Sequence, residues 1–433
     1  MINRFLMYSG HLSIYTKNNN YSNIQSNNIY FLELRRRNMR RIKLLVVMLI
    51  AFALVFSMAA CGGGGGGGTT STGGGGTTTT DDSGTTDSGS GSTGQIAAVF
   101  GSGHAEGIND KAFIQDCWTA IKKYGDETGK TYTYYQPIDD SKQSFMDTYD
   151  TAIKNGAEVI VAIGNEPSDS LKEATWDNPD VKFISIESTG FDEIAPNHFA
   201  ILMEVTHAGW LSGVSMVREG FKNLGILPCV AIPPVDMWTW GWIQGANYAA
   251  GKYGVEGISL KHHYLNQWWA GPEIQTKAAA WYSDGVEVIQ CNTAGGNTSI
   301  IAASDAAGAA VYGSDKDQFE EGDTVVTSQV AFRMPIVYDA LVSAYDGTFR
   351  GGEGPIAGGV SWCPGVESDA VGLIMTPNRF NVYNQAMYDE DYATLKNDVD
   401  GVRTGLMDVF SVPTVDELWG KITTKYVTFE NIE

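Results

Sequence analysis

From Gln95 onward, short apolar runs alternate with longer amphipathic stretches, and glycine, aspartate or proline marks most of the joints. No other feature constrains the fold as strongly. Ile96-Ala-Ala-Val-Phe100 is apolar at every position, which predicts a strand covered on both faces. Val159–Ile163, Val181–Ile186, Leu224–Ile232, Val286–Cys291 and Ala309–Tyr312 repeat the pattern. Between them lie helical spacings, such as Phe113, Cys117, Ile121 and Tyr124 on a helix opening at Asn109 or Asp110. Repeated βα units build parallel sheets flanked by helices. There are more strands than one compact sheet of this length usually holds, so the expectation is an α/β chain with two lobes. Ligands of such sheets sit beyond the carboxyl ends of the strands. That rule selects five loops: Gly101–Asp110, Gly164–Ser168, Pro233–Trp240, Asn292–Thr298 and Gly313–Asp317.

The segment before Gln95 reads differently. Arg40-Arg41-Ile42-Lys43 precedes an uncharged run, Leu44 to Ala60, that ends in Met58-Ala59-Ala60-Cys61. A basic start, an apolar core and a small-residue site before cysteine predict a secretory lipoprotein signal over 39–60, with Cys61 lipidated. Residues 1–38 carry no such pattern and read as an upstream extension, Met39 being well placed as the start. Residues 62–94 are almost wholly Gly, Thr, Ser and Asp, a composition that buries nothing and makes a flexible tether. The expected location is therefore the outer face of the cell membrane, held by the lipid on Cys61.

Charge narrows the partners. The chain has 29 Lys+Arg and 50 Asp+Glu; taking away the eight basic residues and one acid before Cys61 leaves 21 against 49. A nucleic-acid backbone requires a basic face, so no nucleic-acid partner is expected. Cys117, Cys229, Cys291 and Cys363 show no metal-ligand spacing. Two disulfides in any of three pairings are open to them, but Cys117 and Cys291 fall in core stripes and read as buried thiols. Gly125-Asp-Glu-Thr-Gly129-Lys130-Thr131 has three residues between its glycines where a phosphate-binding loop needs four. His262-His263 sits in a strand-like run whose side chains alternate faces, which argues against a joint metal site. No nucleophile–base pair stands out, and no cofactor, metal or catalytic residue is assigned.

Taken together, the loops carry a resemblance. Asp110-Lys-Ala-Phe113-Ile-Gln115 resembles an Asp-Lys-x-Phe-Asn-Gln opening. Gly156-Ala-Glu-Val-Ile160, Asn178-Pro-Asp-Val-Lys-Phe183, Gly241-Trp-Ile-Gln-Gly245, Ala294-Gly-Gly296, Gly313-Ser-Asp315-Lys-Asp317-Gln318 and Thr327-Ser328 follow in matching order. The chain resembles the basic membrane protein family, the lipid-anchored nucleoside-binding receptors of bacterial ABC importers. The resemblance implies a type I periplasmic-binding-protein-like fold, with one lobe near 95–205 plus about 327–365 and the other near 206–326 plus about 366–433. It also implies a monomer that is not an enzyme, with a nucleoside-like ligand and an ABC permease as partners. A sensory receptor of the same fold and a nucleoside hydrolase are the competing readings.

The same resemblance points to the site. Phe113 and Trp238 would hold the two faces of a base, and Asp315 would accept the hydroxyl protons of a sugar. His104, Asp110, Gln115, Asn165, Glu166, Trp240 and Gly295 complete the set. Two positions depart from the pattern: Ile114 replaces an asparagine, and Ala331 replaces the lysine of Thr-Ser-x-x-Lys. If that stretch is a strand, Arg333 shares a face with Ala331 and could stand in for the lysine. Trp242, Trp268, Trp269 and Trp362 add aromatic surface, so a larger or more apolar ligand is also open.

Overall fold

The computed structural model describes residues 94–406, 408–411 and 415–431. The upstream extension, the signal segment, Cys61 and nearly all of the tether lie outside them. The apolar runs form the strands expected of them. Among the described residues one sheet has five parallel strands in the order β2-β1-β3-β4-β5. They are β1 (Ile96–Phe100), β2 (Tyr132–Tyr135), β3 (Val159–Ile163), β4 (Lys182–Ile186) and β5 (His198–Ile201). Every residue of β1 and β3 is buried, and Ile96 to Phe100 stand opposite Val159 to Ile163 in register. That explains why these runs show no polar alternation. Three helices connect them: α1 (Phe113–Thr128), α2 (Lys142–Lys154) and α3 (Ser168–Asp177).

The second sheet runs β11-β10-β9-β8-β6-β7-β12. Its strands are β6 (Asn223–Pro228), β7 (Ile258–His262), β8 (Val288–Asn292), β9 (Ala310–Asp315), β10 (Val325–Ala331), β11 (Val371–Leu373) and β12 (Val427–Asn431). Pairing is parallel except for β11, which is antiparallel to β10. The accompanying helices are α4 (Thr206–Glu219), α5 (Pro233–Tyr253), α6 (Pro272–Ser283), α7 (Asn297–Ala307), α8 (Arg333–Asp346), α9 (Gln385–Lys396) and α10 (Val415–Gly420).

Three crossings join the two halves, at 202–205, 332 and 363–370. β10 belongs to the second sheet along its whole length, while α8 packs on α1 of the first half. The crossings lie side by side. Leu202 and Glu204 N–H donate to the carbonyls of Trp362 and Pro364, and Phe332 N–H donates to that of Ala370, at 2.8–3.0 Å.

Local structure departs from expectation at three places near the site. Residues 233–240 are the first two turns of α5, not a loop. Pro233 and Pro234 occupy its opening positions, where a missing N–H is harmless and a fixed φ suits the helix. Helix α1 begins at Phe113, after a single tight turn at Gly107–Asn109. Its buried stripe is Ile114, Cys117, Ala120, Ile121 and Tyr124, so Phe113 is left at the rim. Arg333 opens a helix and shares no strand face with Ala331, because β10 ends there.

Candidate functional site

Carboxyl-terminal ends of strands from both sheets meet across one cavity of about 500 Å³, mouth included. The first half contributes His104 after β1, Phe113 at the start of α1, Asn165 and Glu166 after β3, and Glu187 directly after β4. The second contributes Cys229, Ile232 and the opening turns of α5 with Trp238, then Trp268, Asn292, Ala294 and Asp315. Arg333 enters from the crossing. Aromatic and aliphatic walls with a few convergent charges are the usual make-up of a small-molecule site.

Three of these residues hold left-handed backbone without being glycine: Glu187 at φ 69°, Ala294 at φ 48° and Asp315 at φ 74°. Such conformations cost on the order of 1–3 kcal/mol each and collect where a chain must present a side chain to a ligand. Here they turn two carboxylates at strand ends toward the cavity.

Arg333 is buried between those carboxylates. Its Nε and Nη2 donate to Glu187 Oε1 at 3.1 and 3.0 Å, and Nη1 lies 3.2 Å from Asp315 Oδ1. Nη1 lacks hydrogen-bond geometry to any acceptor, and Glu187 Oε2 has no partner either. Burial pushes the Glu187 carboxyl up to about 7, although Arg333 pulls it down. For Arg333 burial acts to remove the proton, but Glu187 and Asp315 outweigh it and the group stays a cation. The guanidinium also lies over the Phe113 ring, 4.6 Å from its centre.

A second pair closes the other side. His104 Nε2 and Glu166 Oε1 are 3.1 Å apart. Burial lowers the His104 pKa, but the hydrogen bond and charge of Glu166, with Asp110 and Asp140 behind, raise it on balance. Burial raises that of Glu166, and His104 overcomes this to lower it. Each group thus favours the charged form of the other. The His104 ring also meets Trp268 from the opposite half, 5.5 Å between centres.

The structure thus brings His104, Phe113, Asn165, Glu166, Trp238, Asp315 and Arg333 to one cavity. Asp110, Gln115, Trp240 and Gly295 are not part of its lining. Asp110 is committed to backbone, accepting from the N–H groups of Ala112, Ile114 and Gln115 at 2.9–3.0 Å as the cap of α1. Gln115 Oε1 accepts from Lys316 Nζ of the other half. Trp240 follows Trp238 by two residues, which places it on the other side of α5, along a hollow shared with Trp210 and Tyr248. A Cβ on Gly295 would stand 2.7 Å from Glu106 Oε2, so its small size serves a contact with the first half.

Glu187 and Trp268 line the cavity but lie outside the five loops and are not among the expected site residues. The end of β4 carried the needed signal, an acid directly after the apolar run Phe183–Ile186, but it was not among the five loops.

Two α/β halves joined by three crossings, with a cleft at the strand ends, place a small-molecule binding site between them. The chain belongs to the Bmp family, described as ABC transporter substrate-binding protein PnrA-like, which matches residues 97–398. It is 24% identical over 271 residues to "ABC transporter nucleoside-binding protein BmpA" of Lactococcus lactis, covering 57% of this chain and 75% of that protein. It is also 24% identical over 283 residues to a "CD4+ T-cell-stimulating antigen" of Listeria monocytogenes, covering 62% and 77%. Among solved structures, a solute-binding protein of an Aeropyrum pernix ABC transporter system superposes with TM-score 0.59 at 16% identity, over 76% of this chain and 93% of that one. One from Conexibacter woesei gives 0.54 at 16% identity, over 73% and 99%. These likenesses establish the fold.

As a member of this family the protein is an extracytoplasmic substrate-binding component that takes a small ligand to an ABC permease. Among the described residues no helix is long and apolar enough to cross a membrane.

Proposed function

We propose that the protein is a lipoprotein anchored through Cys61 that captures a nucleoside, a purine nucleoside first of all, between its two halves. The base lies between Phe113 and Trp238, the sugar hydroxyls reach Asp315 and the Arg333 cluster, and Glu166 and Asn165 serve the base edge. The ligand draws the halves together about the three crossings, and the closed form docks on the permease. One observation carries this reading: rings and carboxylates from both halves line a single cavity at the strand ends. The name of the Lactococcus lactis relative adds support.

A thermal-shift screen of nucleosides, free bases, sugars and peptides tests it, because a ligand bound only by the folded state raises apparent stability. Inosine, guanosine or adenosine should raise the melting temperature in a concentration-dependent way. A shift with sugars or peptides and none with any nucleoside would refute the assignment.

A further inference from the structure

A second hollow lies along α5, away from the cleft, with a volume of about 620 Å³ that suits a small molecule. Trp240, Gln244 and Tyr248 follow one another at intervals of four on the helix and share one face of it. Trp210 of α4 packs on Tyr248, their ring centres 5.0 Å apart. The rest of the wall is the chain at 401–406 and 421–424, beyond residue 398 where the family match ends. That wall is fastened to the helix: Asn247 Oδ1 accepts from the N–H groups of Lys425 and Tyr426 at 2.9 Å each.

The lining is rich in donors. Trp240 is 3% exposed, and its Nε1 has no hydrogen-bond partner; nor has Gln244 Nε2, one turn further on. A buried donor left unsatisfied is costly, so the position gains when an acceptor reaches it. Gln244 is half-buried, and rotation about its last bond turns the amide to face the hollow. Lys421 lines the same space, is exposed, and forms no ion pair among the described residues. No Asp or Glu occurs among the described lining residues, although the whole chain has 50 acids against 29 bases. Asn247 Oδ1 is spent on backbone, and the Thr404 hydroxyl donates to Asp398.

We propose that this hollow is a second binding site, for a small aromatic carboxylate. The ring of the ligand lies against Trp240, Trp210 and Tyr248. Its carboxylate accepts from the N–H groups of Trp240 and Gln244 and meets the charge of Lys421. An amine would bring one more donor and a like charge to the same wall. The site is separate from the cleft and does not rest on the nucleoside reading.

Calorimetric titration of the protein with benzoate, 4-hydroxyphenylacetate and indole-3-acetate tests this, with tryptamine as the cation that keeps the indole ring. The carboxylates should bind at one site per chain, and tryptamine about tenfold or more weaker than indole-3-acetate. Gln244→Glu, which keeps the shape and removes the donor, and Lys421→Gln should each weaken indole-3-acetate about tenfold. Phe113→Ala, in the cleft, should leave that affinity unchanged. Failure of all three carboxylates to bind would overturn the proposal, and so would equal binding of indole-3-acetate and tryptamine. Wild-type affinity in the folded variants would do the same, and loss of binding in Phe113→Ala would put the ligand in the cleft instead. The wild-type series and Lys421→Gln, at an exposed position, decide the matter even if Gln244→Glu does not fold.

Discussion

At the residue scale, the two rings assigned to the base differ in how cleanly they can be tested. Trp238 is only 3% exposed, so truncating it removes packing as well as a ligand contact. Replacing a buried tryptophan by alanine costs about 3–5 kcal/mol of stability, which would confound a loss of binding. Phe113 is only partly buried, at the rim of the cleft, ahead of the buried stripe of α1. Phe113→Ala should therefore weaken nucleoside binding by about 5- to 150-fold, the range that loss of one base–aromatic stack of about 1–3 kcal/mol implies. Its melting temperature without ligand should drop far less than that of Trp238→Ala. Unchanged affinity in a folded Phe113→Ala protein would remove the aromatic clamp from consideration.

The residues that sequence did and did not reveal differ for a physical reason. Asp315 and Trp238 stood out because each falls in a segment read as a loop, although Trp238 is packed in a helix. Asp110 stood out equally, yet its carboxylate is spent on the backbone of α1. A capping aspartate and a ligand-binding aspartate look alike in a sequence. Whether Arg333 meets Glu187 depends on the contact between a strand end and a helix start 146 positions apart. Local pattern cannot supply that pairing.

At the element scale, α4 and α5 cross with their backbones in contact. A Cβ on Gly209 would lie 2.1 Å from the Trp238 carbonyl oxygen, and one on Gly241 would lie 1.9 Å from that of Thr206. Gly213 and Gly245 make equivalent approaches to Trp242 and Trp210, at 2.1 Å each. Two glycines four apart on each helix thus form one flush surface, the arrangement that lets helices pack at closest range. The Gly241-Trp-Ile-Gln-Gly245 segment is explained by this crossing. Its neighbour in the chain, Trp238, is set in the cleft by the same contact.

Overfilling the crossing should therefore act on both stability and binding. Gly209→Ala pushes directly on the Trp238 carbonyl, and extra volume at a close-packed contact costs about 1–3 kcal/mol. Urea unfolding should show that loss. Nucleoside affinity should fall as well, although Gly209 touches no ligand. Gly220→Ala, at a left-handed helix end with open space around it, provides the comparison. It should lose stability through backbone strain and keep its affinity. If Gly209→Ala loses stability and binds normally, the crossing does not set the position of Trp238.

Helices and strands were legible to different degrees for a related reason. Runs buried on both faces, such as Ile96–Phe100 and Val159–Ile163, were read with their ends intact. Pro233–Trp240 was read as a loop after a strand, since its aromatic residues fall on all sides and show no helical stripe. In the structure Met237, Trp238, Trp240 and Trp242 are all buried, against three different surroundings. A helix enclosed all round loses the periodicity by which helices are recognised.

At the scale of the whole molecule, the two halves touch at the cleft mouth through the loop between β1 and α1. Glu106 Oε1 accepts from Ala270 N–H at 3.1 Å, and Gln318 Nε2 donates to the Lys111 carbonyl at 3.1 Å. Lys111 Nζ also pairs with Glu321 at 2.6 Å, but its side chain is 51% exposed. Each bond links the first half to the second, so each can form only when the halves have closed. Contacts unique to one state shift the population toward that state by their own free energy and no more. An exposed ion pair contributes little, about 0–1 kcal/mol. The Glu106 bond ends on a backbone N–H beside Gly295, where space is tight, and a net 0.5–1.5 kcal/mol is the ordinary range. Glu106→Ala should therefore weaken nucleoside binding about three- to tenfold, with the change in the dissociation rate, since encounter with the open cleft precedes the contact. Lys111→Ala should change affinity less than Glu106→Ala does. Stopped-flow kinetics separate the possibilities. A slower association at constant dissociation, or no difference between the two variants, would mean that the Glu106 contact does not hold the closed state.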